Sequence, residues 1–174
     1  MRHTLSILVE NRSGELARIV GLFSARGYNI ESLTVAATLD PQVSRVTLAT
    51  SGDDQTIEQI TKQLHKQIRV LSVTDLTMFD HIEREMALIH VKAAGGNERQ
   101  QVMHLVDIFR ARVIDVSESA LTIETTGDRS KVNAFLGLLG PFGIHEMVRA
   151  GTLAIPRLPS ASADDTLVRE FAVR

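Results

Sequence analysis

The segment LSILVENRSGEL, residues 5–16, decides how the chain begins to fold, because a strand pattern changes there into a helix pattern. Leu5, Ile7 and Val9 alternate with other residues, which is the period of a strand that buries one face. Beyond residue 14, apolar residues recur at helical spacing, at positions 16, 19, 20 and 23. The segment therefore predicts a strand, a polar turn over residues 11–14 and a helix, in that order.

The turn between these two elements has the chemistry of a small anion site. Asn11, Arg12 and Ser13 are polar, and Gly14 has no side chain, so a ligand can approach the backbone closely. A helix N-terminus also carries unpaired N–H groups and a partial positive charge, both of which favour an anion. The turn is therefore a candidate anion socket, although an ordinary helix start without any ligand explains the same residues.

The composition is that of a globular protein and argues against several classes of function. Of 174 residues, 44% are hydrophobic and 23% are charged, and tryptophan is absent, so the core should be aliphatic. A net charge of -2 with scattered basic residues offers no surface for nucleic acid. The absence of cysteine excludes thiolate catalysis and thiolate metal sites. Without a leader-like or membrane-length apolar segment, we expect a cytoplasmic protein with no membrane partner.

The same order of elements occurs twice along the chain. Further strand patterns lie at residues 29–35, 43–50, 68–77, 86–92, 113–116, 121–124 and 144–148. Helix patterns follow Asp53, the Gly95-Gly96-Asn97 turn and Asp128, where Asp53, Asn97 and Asp128 are the candidate N-caps. Each copy therefore reads β-α-β-β-α-β. We predict the α+β class, with two tandem ferredoxin-like βαββαβ domains.

The repeat places the domain boundaries near residues 79 and 155. Residues 1–79 form the first predicted domain, residues 80–155 form the second, and residues 156–174 form a flexible tail rich in proline, serine and alanine. Because two helices cover only one face of each sheet, the other face and the edge strands need a cover, and we expect a homodimer. The alternative is a polar, solvated outer face, to which Ser6, Thr47 and Ser72 would be suited.

Other candidate motifs give no catalytic residue and no metal site. None of the six histidines has a second ligand type at a spacing that places both on one face. The glycines at 137, 140 and 143 lie at a helix end beside a proline, where a structural role explains them. The aspartate pairs at 53–54 and 164–165 are a helix cap and part of the tail. No nucleophile and base can be paired from adjacent residues, so nothing argues for catalysis.

Three segments carry a resemblance to a known family: ENRSGEL at 10–16, GLFSARGYNIESLTV at 21–35 and EQITKQLHK at 58–66. Together with FRARVIDV at 109–116, they resemble the regulatory small subunits of acetohydroxyacid synthase, also called acetolactate synthase. The resemblance covers residues 1–155. It implies that the first domain is an ACT domain, a module that binds amino acids as allosteric effectors, and that the second is the family's C-terminal ferredoxin-like domain. Ser13 stands where many ACT domains carry proline, as is usual in this family.

The resemblance implies that this chain is not itself the catalyst. Its partner would be a large subunit that carries thiamine diphosphate, magnesium and FAD and condenses pyruvate with pyruvate or 2-oxobutyrate. That reaction opens the biosynthesis of the branched-chain amino acids valine, leucine and isoleucine. The small subunit would activate the large subunit and confer feedback inhibition by valine. No cofactor is expected on the small subunit.

The turn and the resemblance together suggest a candidate effector site. The turn at residues 11–14 would hold the carboxylate of valine, and Asn29 with the backbone around Ile30, from the other protomer, would hold its ammonium group. Leu16, Ile30 and Val35 would contact the branched side chain. The complete set of candidate effector-binding residues is Asn11, Arg12, Ser13, Gly14, Glu15, Leu16, Asn29, Ile30 and Val35.

Two other classes of function remain open. One is a stand-alone amino-acid-sensing ACT protein or an effector-binding transcription regulator. A regulator needs a DNA-reading element, and the sequence shows neither a helix-turn-helix pattern nor a basic stripe. The other is a stand-alone enzyme, which would form acetolactate without a large subunit.

Overall fold

The computed structural model describes residues 1–158, and this part of the chain contains nine strands and four α-helices. The strands are β1 (Arg2–Glu10), β2 (Ile30–Ala37), β3 (Val43–Ser51), β4 (Val70–Asp75), β5 (His81–Lys92), β6 (Arg112–Val116), β7 (Ala120–Gly127), β8 (Ile144–Arg149) and β9 (Leu153–Pro156). The helices are α1 (Glu15–Ala25), α2 (Asp54–His65), α3 (Gly96–Ile108) and α4 (Arg129–Leu139), with short 3-10 turns at Leu76–Met78 and Gly140–Phe142. The predicted α+β class with two tandem ferredoxin-like arrangements is confirmed.

The first unit is an antiparallel sheet in the strand order β2-β3-β1-β4, with α1 and α2 on one face. The alternation read from residues 5–9 sets the register, because Leu5 lies opposite Leu48 and Ile7 opposite Val46. These side chains are fully buried against α1 residues such as Phe23. Strand β2 is an edge of this sheet, so its outer backbone groups have no neighbouring strand in the described chain.

The centre of the opposite face of this sheet is polar but buried. Ser6 and Thr47 are each only 4% exposed, so the alternative of a solvated outer face is wrong for these two residues. Thr152, a fully buried residue near the end of the described chain, contacts the first unit. The Thr152 N–H donates to the Ser32 hydroxyl at 2.8 Å, and an Arg2 guanidinium N–H donates to the Thr152 hydroxyl at 3.0 Å.

Contacts divide the described residues into one unit of residues 1–82 together with residues 152–158, and a second unit of residues 83–151. This division differs from the predicted boundaries at 79 and 155, because β9, which pairs with β5, is grouped by its contacts with the first unit. The Arg157 N–H donates to the Asp80 carbonyl at 2.9 Å, which extends the same attachment. The rest of the predicted tail, including Asp164 and Asp165, lies outside the described residues.

The second unit repeats the arrangement, with the strand order β6-β7-β5-β8 and a core beneath α3 and α4. Asp128 caps α4 as predicted, since its carboxylate accepts from the Lys131 N–H at 2.8 Å. Asp53 caps α2 in the same way through the Thr56 N–H at 2.8 Å. The predicted Asn97 cap is wrong, because α3 begins at Gly96 and its N-cap residue is Gly95, which has no side chain to bond the helix. Asn97 is already inside the first turn.

None of the helices within residues 1–158 is long and apolar enough to cross a membrane.

Candidate functional site

The turn at residues 11–14 connects the end of β1 to the start of α1 and is tied to the loop between β2 and β3. The Asn11 N–H donates to the Gln42 carbonyl at 2.7 Å, and the Asn11 side-chain amide donates to the Pro41 carbonyl at 2.9 Å. The Arg12 N–H donates back to the Glu10 carbonyl at 2.8 Å. The first two residues of the turn are therefore fixed, and the Asn11 side chain serves as one of its anchors.

The remaining N–H groups of the turn and of the first helical turn are free. In the part of the chain that the structure describes, the N–H groups of Ser13, Gly14, Leu16 and Ala17 donate no backbone hydrogen bond. The Glu15 N–H has only a long bond of 3.4 Å to the Arg12 carbonyl. Ser13, Gly14, Leu16 and Ala17 are all exposed, so these donors face solvent at the positive end of α1.

Gly14 adopts a backbone conformation that other residues rarely take. Its φ is 90° and its ψ is -12°, in the left-handed region. A Cβ built at Gly14 would meet no atom within 4 Å, so the space above the turn is open. Glycine is thus needed here for the backbone angle, and its missing side chain also leaves the free N–H groups accessible.

Five charged side chains surround the base of the turn. The Glu15 Oε1 accepts from Arg69 Nη1 at 2.8 Å and from Arg18 Nη1 at 3.2 Å. The Glu10 carboxylate pairs with Arg12 at 3.0 Å and lies 3.8 Å from Arg69 Nε. Three arginines and two glutamates give this group a net charge of +1, which favours an anionic ligand.

These contacts change the interpretation of Glu15 and add residues that the sequence did not indicate. The Glu15 side chain is only 6% exposed, and its carboxylate is paired with two arginines instead of the free N–H groups. Arg18 follows Glu15 by one helical turn, a spacing that the sequence does display. Arg69 lies 54 residues further along the chain, and no local pattern connects the two.

The other four candidate residues occupy β2, its start and the outer side of α1. Asn29 is exposed, and its backbone carbonyl accepts from the Thr50 hydroxyl at 2.6 Å. Ile30 is half-buried and packs against the core of the first unit. Leu16 and Val35 are each 40% exposed, so both retain apolar surface for a ligand.

The structure separates the two polar parts of the candidate site within one chain. Asn11 is bonded to Gln42, just before β3 begins, whereas Ile30 lies opposite Thr50, at the end of β3. Seven residue steps along β3 correspond to roughly 25 Å. A ligand the size of an amino acid cannot contact both parts in one protomer. Val35, opposite Val46, lies between them.

The described residues contain no group of three histidine, aspartate or glutamate side chains that could hold a metal ion. His3 and Asp75 form a pair of possible metal ligands without a third, since His3 Nδ1 lies 2.8 Å from Asp75 Oδ2 inside the first unit. Gly143 has a φ of 91° just after the 3-10 turn that contains Pro141, in agreement with the structural role expected for these glycines.

Two family models match this chain, one in each half. The model for the AHAS small subunit-like ACT domain matches residues 5–72, and the model for the small subunit of acetolactate synthase matches residues 84–158. The chain is 50% identical over 157 residues to the acetolactate synthase small subunit of Mycobacterium leprae, covering 90% of this chain and 92% of that protein. It is 48% identical over 158 residues to the small subunit of Haemophilus influenzae, covering 90% and 96% of the two chains.

A solved structure agrees with these matches. The acetolactate synthase small subunit of Thermotoga maritima superposes with a TM-score of 0.83 at 42% identity, covering 92% of this chain and 99% of that chain. Fold and comparisons thus define a regulatory protein with an N-terminal ACT domain, as the sequence predicts. The chain belongs to the family of acetolactate synthase small subunits.

Proposed function

We propose that this chain binds valine at the interface between two of its ACT domains and thereby gives feedback inhibition of a catalytic acetolactate synthase subunit. In the absence of valine it activates that subunit. The catalytic subunit carries thiamine diphosphate, magnesium and FAD in this proposal, and the chain described here supplies no catalytic group. The two subunits together begin the synthesis of the branched-chain amino acids.

The observation that carries this proposal is the set of free N–H groups on Ser13, Gly14, Leu16 and Ala17. Free N–H groups at a helix N-terminus match the carboxylate of an amino acid, and the net charge of +1 around the turn adds to the attraction. Leu16, in the first turn of α1, has exposed apolar surface and is placed to meet the branched side chain.

A two-protomer site follows from the distance between the two polar parts. If two copies pair antiparallel through their β2 edges, the Asn29 end of one β2 comes to the Ala37 end of the other. Ala37 lies opposite Ser44, near the start of β3 and the turn at residues 11–14. The Asn29 side chain and the backbone near Ile30 then supply acceptors for the ligand's ammonium group. Such pairing also gives β2 the partner that its edge position lacks.

Regulation then has a simple physical basis. A ligand held by two protomers stabilises the arrangement in which both halves of the site meet. A difference of about 1–3 kcal/mol in the ligand's affinity for two arrangements is enough to shift the activity of an attached enzyme.

The test is calorimetric titration of the purified chain with valine and, separately, with alanine. Valine should bind, and alanine should bind at least about tenfold more weakly, since each lost carbon removes roughly 0.8 kcal/mol of transfer free energy from an apolar pocket. Equal affinity for the two would mean that the pocket has been misplaced.

Acetolactate formation should then be measured with this chain alone, with a large subunit alone, and with both, in the presence and absence of valine. We expect no turnover by this chain alone, an increase when the subunits are combined, and loss of that activity with valine. Turnover by this chain alone would favour a stand-alone enzyme. Retention of genomic DNA in a gel-shift experiment would favour a transcription regulator.

A further inference from the structure

Arg69, which directly precedes β4, contacts the residues on both sides of the turn at residues 11–14, namely Glu10 and Glu15. Its backbone carbonyl accepts from the Glu10 N–H at 3.0 Å, which fixes the start of β4 against the end of β1. Its guanidinium then reaches Glu15, the first residue of α1, at 2.8 Å. The Arg69 side chain is 33% exposed and the Glu15 side chain 6%, so this pair is partly shielded from water.

Glu15 stands where a free carboxylate would compete with an anionic ligand. It is the first residue of α1, and the unpaired N–H groups of Leu16 and Ala17 follow it directly. Acidic side chains in the first turn are attracted to the positive end of a helix. The structure instead shows the Glu15 carboxylate turned inward, with both arginine contacts on the same oxygen, Oε1.

We propose that Arg69 is a positioning residue for the effector site, which acts by holding the Glu15 carboxylate away from the free N–H groups that receive the ligand's carboxylate. This inference rests on the proposed function and identifies a residue outside the turn that sets the site's affinity. Arg18 cannot replace Arg69 in this role, because its side chain is 55% exposed and its longer contact is weakened by solvent.

The main variant is Arg69→Met in the full-length chain, which keeps most of the side-chain length but removes the charge. We expect the dissociation constant for valine to rise about tenfold, because the released Glu15 carboxylate competes for the same N–H groups. In the reconstituted enzyme, the valine concentration for half-inhibition should rise in parallel with this dissociation constant.

The second variant, Glu15→Gln combined with Arg69→Met, separates positioning from a general loss of structure. A neutral glutamine does not compete with the ligand as a carboxylate does, so valine affinity should return to within about twofold of the wild-type value. Glu10→Gln combined with Arg69→Met restores the same net charge of the group but keeps the Glu15 carboxylate, so it should stay weak. If the double variant with Glu15→Gln stays as weak as Arg69→Met, Arg69 has only a structural role and the inference is overturned.

The matched control is Arg149→Met in the second unit. Arg149 pairs with Glu85 through its Nε at 2.7 Å, and the two side chains are 25% and 6% exposed, close to the values for Arg69 and Glu15. Valine affinity of this variant should equal that of the wild-type chain. Circular dichroism should show that all variants are folded. If Arg69→Met is unfolded, Arg69→Gln, which also removes the charge, takes its place with the same expected loss of valine affinity.

Failure of this inference and failure of the proposed function give different results. If the wild-type chain does not bind valine, the proposed function is wrong. If the wild-type chain binds valine and Arg69→Met binds it equally well, only the positioning role of Arg69 is overturned.

Discussion

Asn11 and Asn29 contact opposite ends of one strand, β3, to which neither of them belongs. The Asn11 N–H donates to the Gln42 carbonyl just before this strand begins, and the Asn29 carbonyl accepts from the hydroxyl of Thr50 near its end. Because roughly 25 Å separates these positions, the two asparagines contact one small ligand only if they come from different protomers. A mixing experiment tests this consequence directly.

Gly14→Asp and Asn29→Ala should each abolish valine binding when either variant is studied alone. In a mixed dimer of the two, one site receives the native turn from one protomer and the native Asn29 from the other, while the second site receives both substitutions. After random exchange of protomers, about one quarter of the wild-type number of sites should return, measured as the calorimetric stoichiometry. No recovery on mixing, with mixed dimers verified by mass spectrometry, would place the whole site within one protomer.

The alternating and helical periods were sufficient to predict the two β-α-β-β-α-β repeats, because each strand and helix buries one regular face. Strand β9 was missed, since Leu153–Pro156 has only four residues and ends in proline. The N-cap of α3 was missed because consecutive glycines before Asn97 allow the helix to begin earlier than a side-chain cap would indicate. In each case the local sequence carried too little information to fix a boundary.

In the candidate site, too, local features could be predicted from the sequence and contacts between distant residues could not. The turn and its glycine are local features and could be found in the sequence, whereas the contact of Arg69 with Glu15 joins residues 54 positions apart. The left-handed angle of Gly14 was also not predicted, although it decides how a substitution there will behave. Contacts between distant residues depend on the sheet register, which no single segment contains.

The return of the chain at Thr152 predicts that the first unit depends on residues near the C-terminus. A chain that ends at Gly151 loses β9 with its pairing to β5, together with the hydrogen bonds from Thr152 to Ser32 and from Arg2 to Thr152. We expect its free energy of unfolding in urea to fall by about 2–3 kcal/mol, because buried groups are left without partners. A chain that ends at Leu158 is the control and should keep both stability and valine binding. Equal stability of the two chains would show that this contact contributes nothing.

Asp128 predicts a dependence of stability on acid. The N–H of Lys131 and the hydroxyl of Ser130 donate to its carboxylate and hold the pKa of this group below its ordinary value. A lowered pKa in the folded state adds stability above about pH 4, and that stability is lost as the pH falls through the folded-state pKa. Asp128→Ala should lower the free energy of unfolding by about 1 kcal/mol at pH 7.

Asp128→Asn separates the cap from its charge. Asparagine caps helices as well as aspartate does, so this variant should keep most of the stability at pH 7 and show a smaller loss than the wild-type chain below about pH 4. Asp107→Asn, at an exposed position in the last turn of α3, is the control and should not lower stability, because a negative charge near a helix C-terminus is unfavourable. Identical acid profiles for Asp128→Asn and the wild-type chain would contradict the assignment.

The strongest test of the effector site is the comparison of Gly14→Asp with Gly14→Asn. Both side chains must adopt the left-handed angle of Gly14, which we expect to lower stability by about 1 kcal/mol in each variant. Both enter open space, because a Cβ at Gly14 meets no atom within 4 Å. The two variants therefore differ mainly in one negative charge beside the free N–H groups.

That charge should separate inhibition from activation. Two carboxylates ~4 Å apart repel by ~4 kcal/mol at an effective dielectric constant of 20, and screening by solvent lowers this figure at an exposed turn. Gly14→Asp should therefore activate the large subunit normally but lose inhibition by valine, whereas Gly14→Asn should keep much of that inhibition. The measurement is acetolactate formation by the reconstituted enzyme across a range of valine concentrations. If both variants lose inhibition equally, the backbone angle of Gly14 accounts for the effect, and if neither does, the turn at residues 11–14 is not where the effector's carboxylate binds.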